Sequence, residues 1–394
     1  MENPMTWRTL FQPIVTDLAS KMVFIAGPRQ AGKTTMAKAI AATFQASDYL
    51  SWDDPSDRKK IKRAIWPSDP HLLIFDELHK WRGWKRWIKG QFDKYRQQHH
   101  FLVTGSARMD VYRRGGDSLQ GRYHHYRLHP FTLSEMLHSV PKIEVLGELQ
   151  FNKKKKMDAE YNALKILSGF PEPLFSGSER TYRRWQKERV ERFVREDVRD
   201  LETVKDLASL ESLLDLLPAR ASQLLSLQSL REDLEVSHRA LSHWVDVLET
   251  LYFIYRIYPY HSSKVTALKK MPKLYFWDWT LGSDPGARLE NLVGSHLLKT
   301  CHYLEDVEGY DVQLHYLRDK EKREVDFLVC HKKKPWFAVE VKTADTRPSS
   351  SLLYYKKYLS IPYVYQVVEN TNQDITTPEG IRIMPVQKFL SGFY

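Results

Sequence analysis

The chain has 394 residues, of which 42% are hydrophobic and 28% are charged. This length accommodates two or three domains with their own cores, and the composition excludes a disordered chain. Lys and Arg number 60 against 49 Asp and Glu, so the net charge is +11. Such an excess is typical of proteins that bind nucleic acid and also of proteins with a plain basic surface.

The cellular location can be predicted from the cysteines, the N-terminal region and the hydropathy profile. Cys301 and Cys330 lie outside any CxxC pattern, which favours neither a zinc site nor a disulfide framework. The first residues carry no secretory signal pattern, and no apolar run approaches membrane-spanning length. We therefore expect a soluble, cytoplasmic protein.

The first elements along the chain indicate a nucleotide site. Apolar residues at helical spacing predict an amphipathic helix over 5–20, and Met22–Ala26 reads as a buried strand. A loop of the Walker A form, G-x-x-x-x-G-K-[ST], comes next and leads into a run of helix formers from Met36. The residues that we expect to bind the nucleotide are Gly27, Pro28, Arg29, Gln30, Ala31, Gly32, Lys33, Thr34 and Thr35.

The Walker A loop predicts ATP and Mg²⁺ as cofactors. Backbone N–H groups of such a loop and of the following helix point at phosphates. Lys33 is then placed to reach the β- and γ-phosphates, and the Thr34 hydroxyl to coordinate Mg²⁺. The alternative is a glycine-rich turn that happens to precede a helix.

A Walker B strand is the next prediction. After a short strand at 49–53 and a basic helix at 56–66, the apolar run from His71 ends in Asp76 and Glu77. Asp76 is expected to hold the Mg²⁺ shell through water, and Glu77 to orient or deprotonate the attacking water. The alternative is a strand that ends in two solvated acids.

The rest of the N-terminal region adds further candidate residues. The aromatic stripe of a basic helix at 80–98 favours core packing over base stacking. The strand at 101–105 leads to Ser106, the predicted sensor of the γ-phosphate, with Thr104 as the alternative. Arg122 precedes another strand and is either an arginine finger for a neighbouring subunit or a surface arginine.

Five segments together resemble a family of AAA+ ATPases: GPRQAGKTT, LLIFDELHK, VTGSAR, SLQGRY and SGFPEPL. The resemblance covers essentially the whole chain. It implies an α/β protein with a P-loop AAA+ ATPase core, a winged-helix-like middle region and a C-terminal α/β domain of restriction-endonuclease type. It also implies a homo-oligomeric ring, most simply a hexamer, because ATPases of this kind complete their sites across subunits.

This organisation gives four predicted domains: the ATPase core at 1–150, a helical lid and linker at 151–204, the winged-helix-like region at 205–262 and the endonuclease-like domain at 263–394. Within them, Thr132 and Glu135 have capping-box spacing, and four lysines at 153–156 mark a linker. A helix after Val236-Ser237 resembles a recognition helix, the alternative being a helix used only for packing. Its candidate DNA contacts are His238, Arg239 and His243.

A second constellation lies near the C-terminus. Asp326 lies on a predicted strand, and Glu340 and Lys342 share one face of the next strand because they are two residues apart. This is the pattern of PD-(D/E)-x-K nucleases. Asp326 and Glu340, with Glu290 from a preceding helix, are predicted to hold Mg²⁺, and Lys342 to activate water.

These patterns predict an ATPase that binds DNA and couples hydrolysis to remodelling or movement along it, with a C-terminal domain that either cuts DNA or only binds it. Two alternatives stay open. One is a branch-migration-like ATPase with an inactive nuclease fold. The other is a nucleotide-operated switch or scaffold that does not act on DNA.

Overall fold

The computed structural model describes residues 4–105, 119, 121–152, 156–198, 207–261 and 271–394. The chain divides into two units. The first comprises Met1–His129 with Asp306–Glu308, and the second comprises Pro130–Glu305 with Gly309–Tyr394.

The first unit is built on five parallel strands in the order β2-β3-β4-β1-β5. A sheet of this kind, with helices between its strands, confirms the α/β class predicted for the ATPase core. Its elements are α1 (Phe11–Asp17), β1 (Met22–Ala26), α2 (Lys33–Ala41), β2 (Ser47–Ser51), α3 (Pro55–Arg63), β3 (His71–Asp76), α4 (Trp84–Tyr95), β4 (His99–Thr104) and β5 (Tyr123–Arg127).

Local sequence explains these elements. All five residues of β1 are buried, as expected of a central parallel strand that is covered on both faces. Helix α3 begins where Asp54 accepts hydrogen bonds from two backbone N–H groups and Pro55 takes the first helical position. In α4, Trp84, Ile88 and Phe92 are buried, so the aromatic stripe belongs to the core, as predicted.

The second unit begins with helices. Its helical elements are α5 (Leu133–Met136), α6 (Asp158–Leu167), α7 (Pro171–Ser176), α8 (Glu179–Arg192), α9 (Leu207–Leu216), α10 (Leu227–Leu234), α11 (His238–Thr250), α12 (Pro285–Asp306), α13 (Ser350–Tyr358) and α14 (Val386–Leu390). The capping box predicted for Thr132 and Glu135 is formed at the start of α5.

Two sheets complete the second unit. The larger has six strands in the order β12-β13-β11-β10-β9-β8, and the smaller is the antiparallel pair β6-β7. Helix α13 and the larger sheet enclose an apolar core that includes Val325, Leu328 and Leu352. The strands are β6 (Ile254–Ile257), β7 (Lys273–Phe276), β8 (Val312–Arg318), β9 (Glu324–His331), β10 (Lys334–Lys342), β11 (Tyr363–Val368), β12 (Ile375–Thr376) and β13 (Arg382–Pro385).

The division into units differs from the predicted boundary at residue 150. The segment after Pro130 is anchored in the second unit, where the Leu133 N–H donates to His296 Nε2 over 3.1 Å. The buried Glu135 forms an ion pair with the buried Lys299 there. A boundary predicted from composition could not take these long-range contacts into account.

The predicted lid at 151–204 and the predicted boundary at 262 also differ from the contacts within the second unit. Helix α6 packs within the second unit, where Trp279 Nε1 donates to the Leu164 carbonyl over 2.9 Å and Tyr161 donates to Glu369 over 2.8 Å. Strands β6 and β7 pair with each other, so a boundary at 262 separates the two strands of one hairpin. The boundary at 204 and three of the four linker lysines lie outside the described residues.

None of the helices in the described ranges is both long enough and apolar enough to cross a membrane.

Candidate functional site

The Walker A loop lies at the carboxyl end of β1 and leads directly into α2. Gly32 caps α2 with a left-handed backbone at φ 95°, a conformation that glycine adopts without strain. A Cβ on Gly27 would lie 2.4 Å from the carbonyl oxygen of Leu128, so only glycine fits where the loop passes the end of β5. Both glycines of the motif are therefore required by backbone geometry.

Lys33 is buried at the first position of α2. Its ammonium donates to the carbonyl oxygens of Gly27 and Pro28 over 2.9 and 2.8 Å. The charged group is thereby held over the loop itself, which is the position predicted to receive phosphates.

Asp76 at the end of β3 collects three hydroxyl groups from three different elements. Thr34 on α2 donates to its Oδ2 over 3.1 Å, and Tyr49 on β2 donates to the same oxygen. Thr104 at the end of β4 donates to Oδ1. The order β2-β3-β4 places Tyr49 and Thr104 on the two strands that flank β3, so these contacts follow from the sheet topology. Tyr49 was missed by sequence reasoning, because a tyrosine on a predicted strand carries no motif.

Glu77 follows Asp76 in a left-handed conformation at φ 55°, which is uncommon for a residue with a side chain. Its backbone N–H donates to the Thr104 carbonyl over 3.0 Å, which fixes the turn. Burial raises the pKa of Glu77, while the positive charges of Lys33 and Lys80 oppose that rise. A carboxylate with a raised pKa beside a phosphate-binding lysine suits the work of a general base.

The other residues predicted for this site differ in where the structure places them. Ser106 lies outside the described residues. Thr104, the alternative sensor, is fully buried and bonded to Asp76. Arg122 precedes β5 at the amino edge of the sheet, opposite the loop, and pairs with Asp93 over 2.7 Å. Within the loop Arg29 and Gln30 are half-buried and Ala31 is buried, whereas Thr35 is exposed on α2.

A second cluster of charged side chains lies on β9 and β10 of the second unit. The register that pairs Val339 with Phe327 brings Asp326 beside Glu340. Asp326 Oδ2 accepts the backbone N–H of Val341 over 2.9 Å. Lys342 Nζ donates to Glu340 Oε1 over 2.7 Å. The strand hairpin thus assembles the three residues of the nuclease pattern, as predicted from their spacing.

Glu290 joins this cluster from α12, but its partner was not predicted. The ammonium of Lys273 on β7 lies 3.1 Å from Glu290 Oε1 and 3.4 Å from Asp326 Oδ1. It also lies 2.6 Å from Glu324 Oε1. Tyr275 donates to Glu290 Oε1 over 2.7 Å. Sequence reasoning missed Lys273, Tyr275 and Glu324. Lys273 and Tyr275 are two residues apart on one strand, as Glu340 and Lys342 are, and this spacing predicts that they share a face.

Two carboxylates of this cluster, Glu290 and Glu340, are unusually hard to ionise. Burial, and next the charge of Asp326, raise the pKa of Glu290 to about 8 and that of Glu340 to about 7. Burial alone would lower the pKa of Lys273, but Glu290, Asp326 and Glu324 raise it above its ordinary value. The four carboxylates of the cluster meet three cations, Lys273, Lys342 and Arg318. Repulsion between neighbouring carboxylates contributes to the raised pKa values, and a further cation would relieve it.

The metal prediction holds only in part. Across the ranges that the structure describes, no three His, Cys, Asp or Glu side chains are grouped so as to hold a metal ion. The predicted set of Glu290, Asp326 and Glu340 is thus not a ready-made cage, because Lys273 lies between Glu290 and Asp326. Asp326 and Glu340 do suit a cation, since the buried Oε2 of Glu340 has no hydrogen-bond partner among the described residues.

Comparisons with known proteins agree with the geometry of the first site. Residues 19–137 match the family model described as an AAA domain. This part of the chain is thus similar to an AAA domain, which supports a P-loop ATPase core. Residues 158–284 and 285–389 match two further models, each described as a domain of unknown function, DUF8612 and DUF4143. The border between these two models lies after the β6-β7 hairpin and not inside it.

Relatives along most of the chain have low identity. An uncharacterised protein of Mycobacterium tuberculosis is 21% identical over 339 residues, which are 84% of this chain and 72% of that protein. Its counterpart in Mycobacterium bovis matches to the same extent.

Among solved structures, a Walker-type ATPase of Pyrococcus abyssi is 13% identical and covers 71% of this chain and 94% of its own, with a TM-score of 0.40. The Aeropyrum pernix ORC1 protein in complex with DNA is 12% identical, covers 73% of this chain and 91% of its own, and has a TM-score of 0.36. The RuvB branch migration motor of Thermotoga maritima is 16% identical, covers 64% and 88%, and has a TM-score of 0.33.

Proposed function

We propose that this protein is a Mg²⁺-dependent ATPase that acts on DNA, with the ATP site in the first unit and the DNA-contacting surfaces in the second. The observation that carries the ATPase assignment is the hydrogen bond from Thr34 to Asp76 beside the half-buried Glu77. It joins the residue predicted to ligate Mg²⁺ to the residue predicted to hold the metal's water shell.

Each residue of the ATP site has a defined task in this proposal. Lys33 leaves the loop carbonyls and donates to the phosphates, where it offsets their negative charge. Thr34 and Asp76 would hold Mg²⁺, which supplies positive charge to the β- and γ-phosphates. Glu77 accepts a proton from the attacking water, and its raised pKa brings it closer to the operating pH.

Surfaces of the second unit support DNA as the substrate. His238, Arg239 and His243 are exposed on α11, a helix with its opposite face buried. Helices α9 to α11 followed by the β6-β7 hairpin have the order expected of the winged-helix-like region. We therefore assign α11 to the DNA contact.

A second candidate surface for DNA lies on α13 and carries exposed aromatic rings. Tyr358 is 69% exposed and stacks on Tyr354 with ring centroids 5.6 Å apart. The Arg323 guanidinium lies 3.7 Å from the centroid of the Tyr354 ring. Exposed aromatic rings beside cations bind unpaired bases in many nucleic-acid-binding proteins. Arg323 immediately precedes Glu324 of the carboxylate cluster on β9, so unpaired bases on this surface would lie close to that cluster.

The carboxylate cluster itself supports a nuclease-like role. Asp326 and Glu340 would hold Mg²⁺, whose chemistry there is to polarise a phosphodiester. Lys342 is half-exposed at the edge of the cluster and offsets phosphate charge. The rival assignment is a DNA-binding fold without cleavage. It is favoured by Lys273, which neutralises part of the cluster with no metal ion.

The decisive experiment measures ATP hydrolysis at fixed salt with no DNA and with single-stranded, duplex and four-way DNA. The same samples are run on a denaturing gel beside Lys33→Ala and Asp326→Ala. We expect DNA to stimulate hydrolysis only when Lys33 is present, and cleavage only when Asp326 is present. Stimulation without cutting supports the inactive-nuclease alternative. Hydrolysis that is indifferent to DNA, with no DNA binding, supports the switch or scaffold.

We further propose that the ATP site is completed by a neighbouring copy in a homo-oligomeric ring, with Arg122 as the residue supplied in trans. Arg122 lies at the sheet edge opposite the Walker A loop of its own chain, so any ATP site that it completes belongs to another copy. Sedimentation with and without ATP tests the assembly. Mixing Arg122→Ala with Glu77→Gln subunits tests the shared site, since two inactive variants then restore part of the activity.

A further inference from the structure

The deepest charged group of the second site is a lysine that no motif assigns. Lys273 lies on β7, and its side chain is 3% exposed. A buried ammonium is costly unless several acceptors surround it. Glu290, Glu324 and Asp326 fill that role, with one oxygen of each within 3.4 Å of Nζ.

The positions of the cations divide the cluster into two parts. Lys273 lies with Glu290 and Asp326 in the buried part, whereas Lys342 pairs with Glu340 and is 37% exposed. Arg318 pairs with Glu324. Of the carboxylates in this cluster, Glu340 is the one for which the described residues leave a buried oxygen without a hydrogen bond. The open coordination capacity is therefore on the Glu340 side.

We infer that Lys273 is a built-in cation that occupies the position between Glu290 and Asp326, so that this site takes one divalent metal ion, on Asp326 and Glu340, and not two. The inference rests on the proposed nuclease-like site. Two metal ions that share a substrate lie about 3.5–4 Å apart and need carboxylates on both sides. Here the carboxylate oxygens of the second position already contact the ammonium, and a second dication would meet its charge at close range.

Removal of the ammonium creates the missing position. Lys273→Met keeps an unbranched side chain of similar length but leaves Glu290 and Asp326 without their shared cation. The vacated space is then lined by carboxylate oxygens, which a hard dication prefers. Lys273→Arg keeps the positive charge and is the matched control.

The test counts Mn²⁺ bound to the full-length, nucleotide-free chain, using the electron paramagnetic resonance signal of free Mn²⁺. Ions lost on Asp326→Asn define the site and remove any contribution from the P-loop. We expect one Asp326-dependent ion in the wild type, one in Lys273→Arg and two in Lys273→Met. Circular dichroism establishes that each variant is folded.

The inference is overturned if the wild type binds two Asp326-dependent Mn²⁺ ions. This result does not depend on whether a variant at Lys273 folds. The inference is also overturned by one ion in a folded Lys273→Met, or by none in any variant. ATP hydrolysis is measured on the same preparations. An active ATPase with no Asp326-dependent Mn²⁺ refutes the metal site and leaves the ATPase assignment standing.

Discussion

The Thr34 hydroxyl donates a hydrogen bond to Asp76 across 42 positions of sequence, over 3.1 Å. It joins the start of α2 to the end of β3, two elements that meet because β1 and β3 both flank β4 in the sheet. The contact brings together the Walker A and Walker B motifs.

Glu77→Gln should leave ATP binding nearly unchanged and lower the rate of hydrolysis by about 100-fold or more, since the amide cannot accept a proton from water. The measurement pairs a fluorescent-nucleotide titration with phosphate release. Asp69→Asn, a change at an exposed acid of the same unit, is the control and should keep the wild-type rate. Equal hydrolysis in both variants would remove Glu77 from the catalytic residues.

Tyr49→Phe should raise the Mg²⁺ concentration needed for half-maximal hydrolysis by about tenfold, a common effect of removing a residue that orients a metal-bound group. The phenol donates to Asp76 Oδ2, so its loss leaves that carboxylate less firmly oriented. A Mg²⁺ titration at saturating ATP measures the change. An unchanged Mg²⁺ requirement with a reduced melting temperature would indicate a purely structural tyrosine.

Tyr358→Ala should weaken binding of single-stranded DNA by about tenfold, because stacking on one aromatic side chain contributes about 1–3 kcal/mol per base. Tyr310→Ala removes another exposed tyrosine, one that is 41% exposed, and should have little effect. Fluorescence anisotropy at constant salt measures both. An equal loss in the two variants would indicate a nonspecific effect and contradict stacking on α13.

His296 should make the second unit less stable in acid. Burial, and to a lesser degree the charge of Lys299, lower its pKa to about 4, whereas Glu135 opposes this shift. The depressed pKa means that its stabilising contribution is present above the unfolded value near 6.5 and is lost as pH falls toward 4. Between about pH 7.5 and 5 the loss is about 2 kcal/mol.

Urea unfolding of His296→Gln across this pH range tests the assignment. The amide does not titrate and can still accept the Leu133 N–H, so the acid-dependent loss should shrink by the stated amount. His243→Gln, at an exposed histidine on α11, should retain the wild-type pH dependence. Identical slopes in the wild type and His296→Gln would exclude His296 as the titrating group.

The Walker A and Walker B residues could be located from the sequence because each motif is local in sequence. Gly27 to Thr35 form one loop and helix start, and the Asp76–Glu77 pair ends one strand, so spacing alone identifies them. Tyr49 could not be found in this way. Its role arises from strand order, which places β2 beside β3, and no pattern within residues 47–51 encodes that neighbour.

The second site was predictable only along its hairpin. Asp326, Glu340 and Lys342 follow from strand alternation, but Lys273 comes from a different sheet and joins them through tertiary packing. The same limitation explains why the predicted domain boundaries differ from the two units. Glu135 was predicted as a helix cap within the ATPase core, whereas its burial against Lys299 assigns that helix to the second unit.

The close approach of Gly27 to Leu128 has a mechanical consequence. The loop has no free space on that side, so a backbone shift of the loop around an arriving phosphate presses directly on the Leu128 carbonyl. Leu128 also donates its N–H to the Ala26 carbonyl over 2.8 Å, so a hydrogen bond holds the same two segments together. Two residues later the chain reaches Pro130 and the second unit. The segment that limits the space around Gly27 thus lies two residues from the border between the two units.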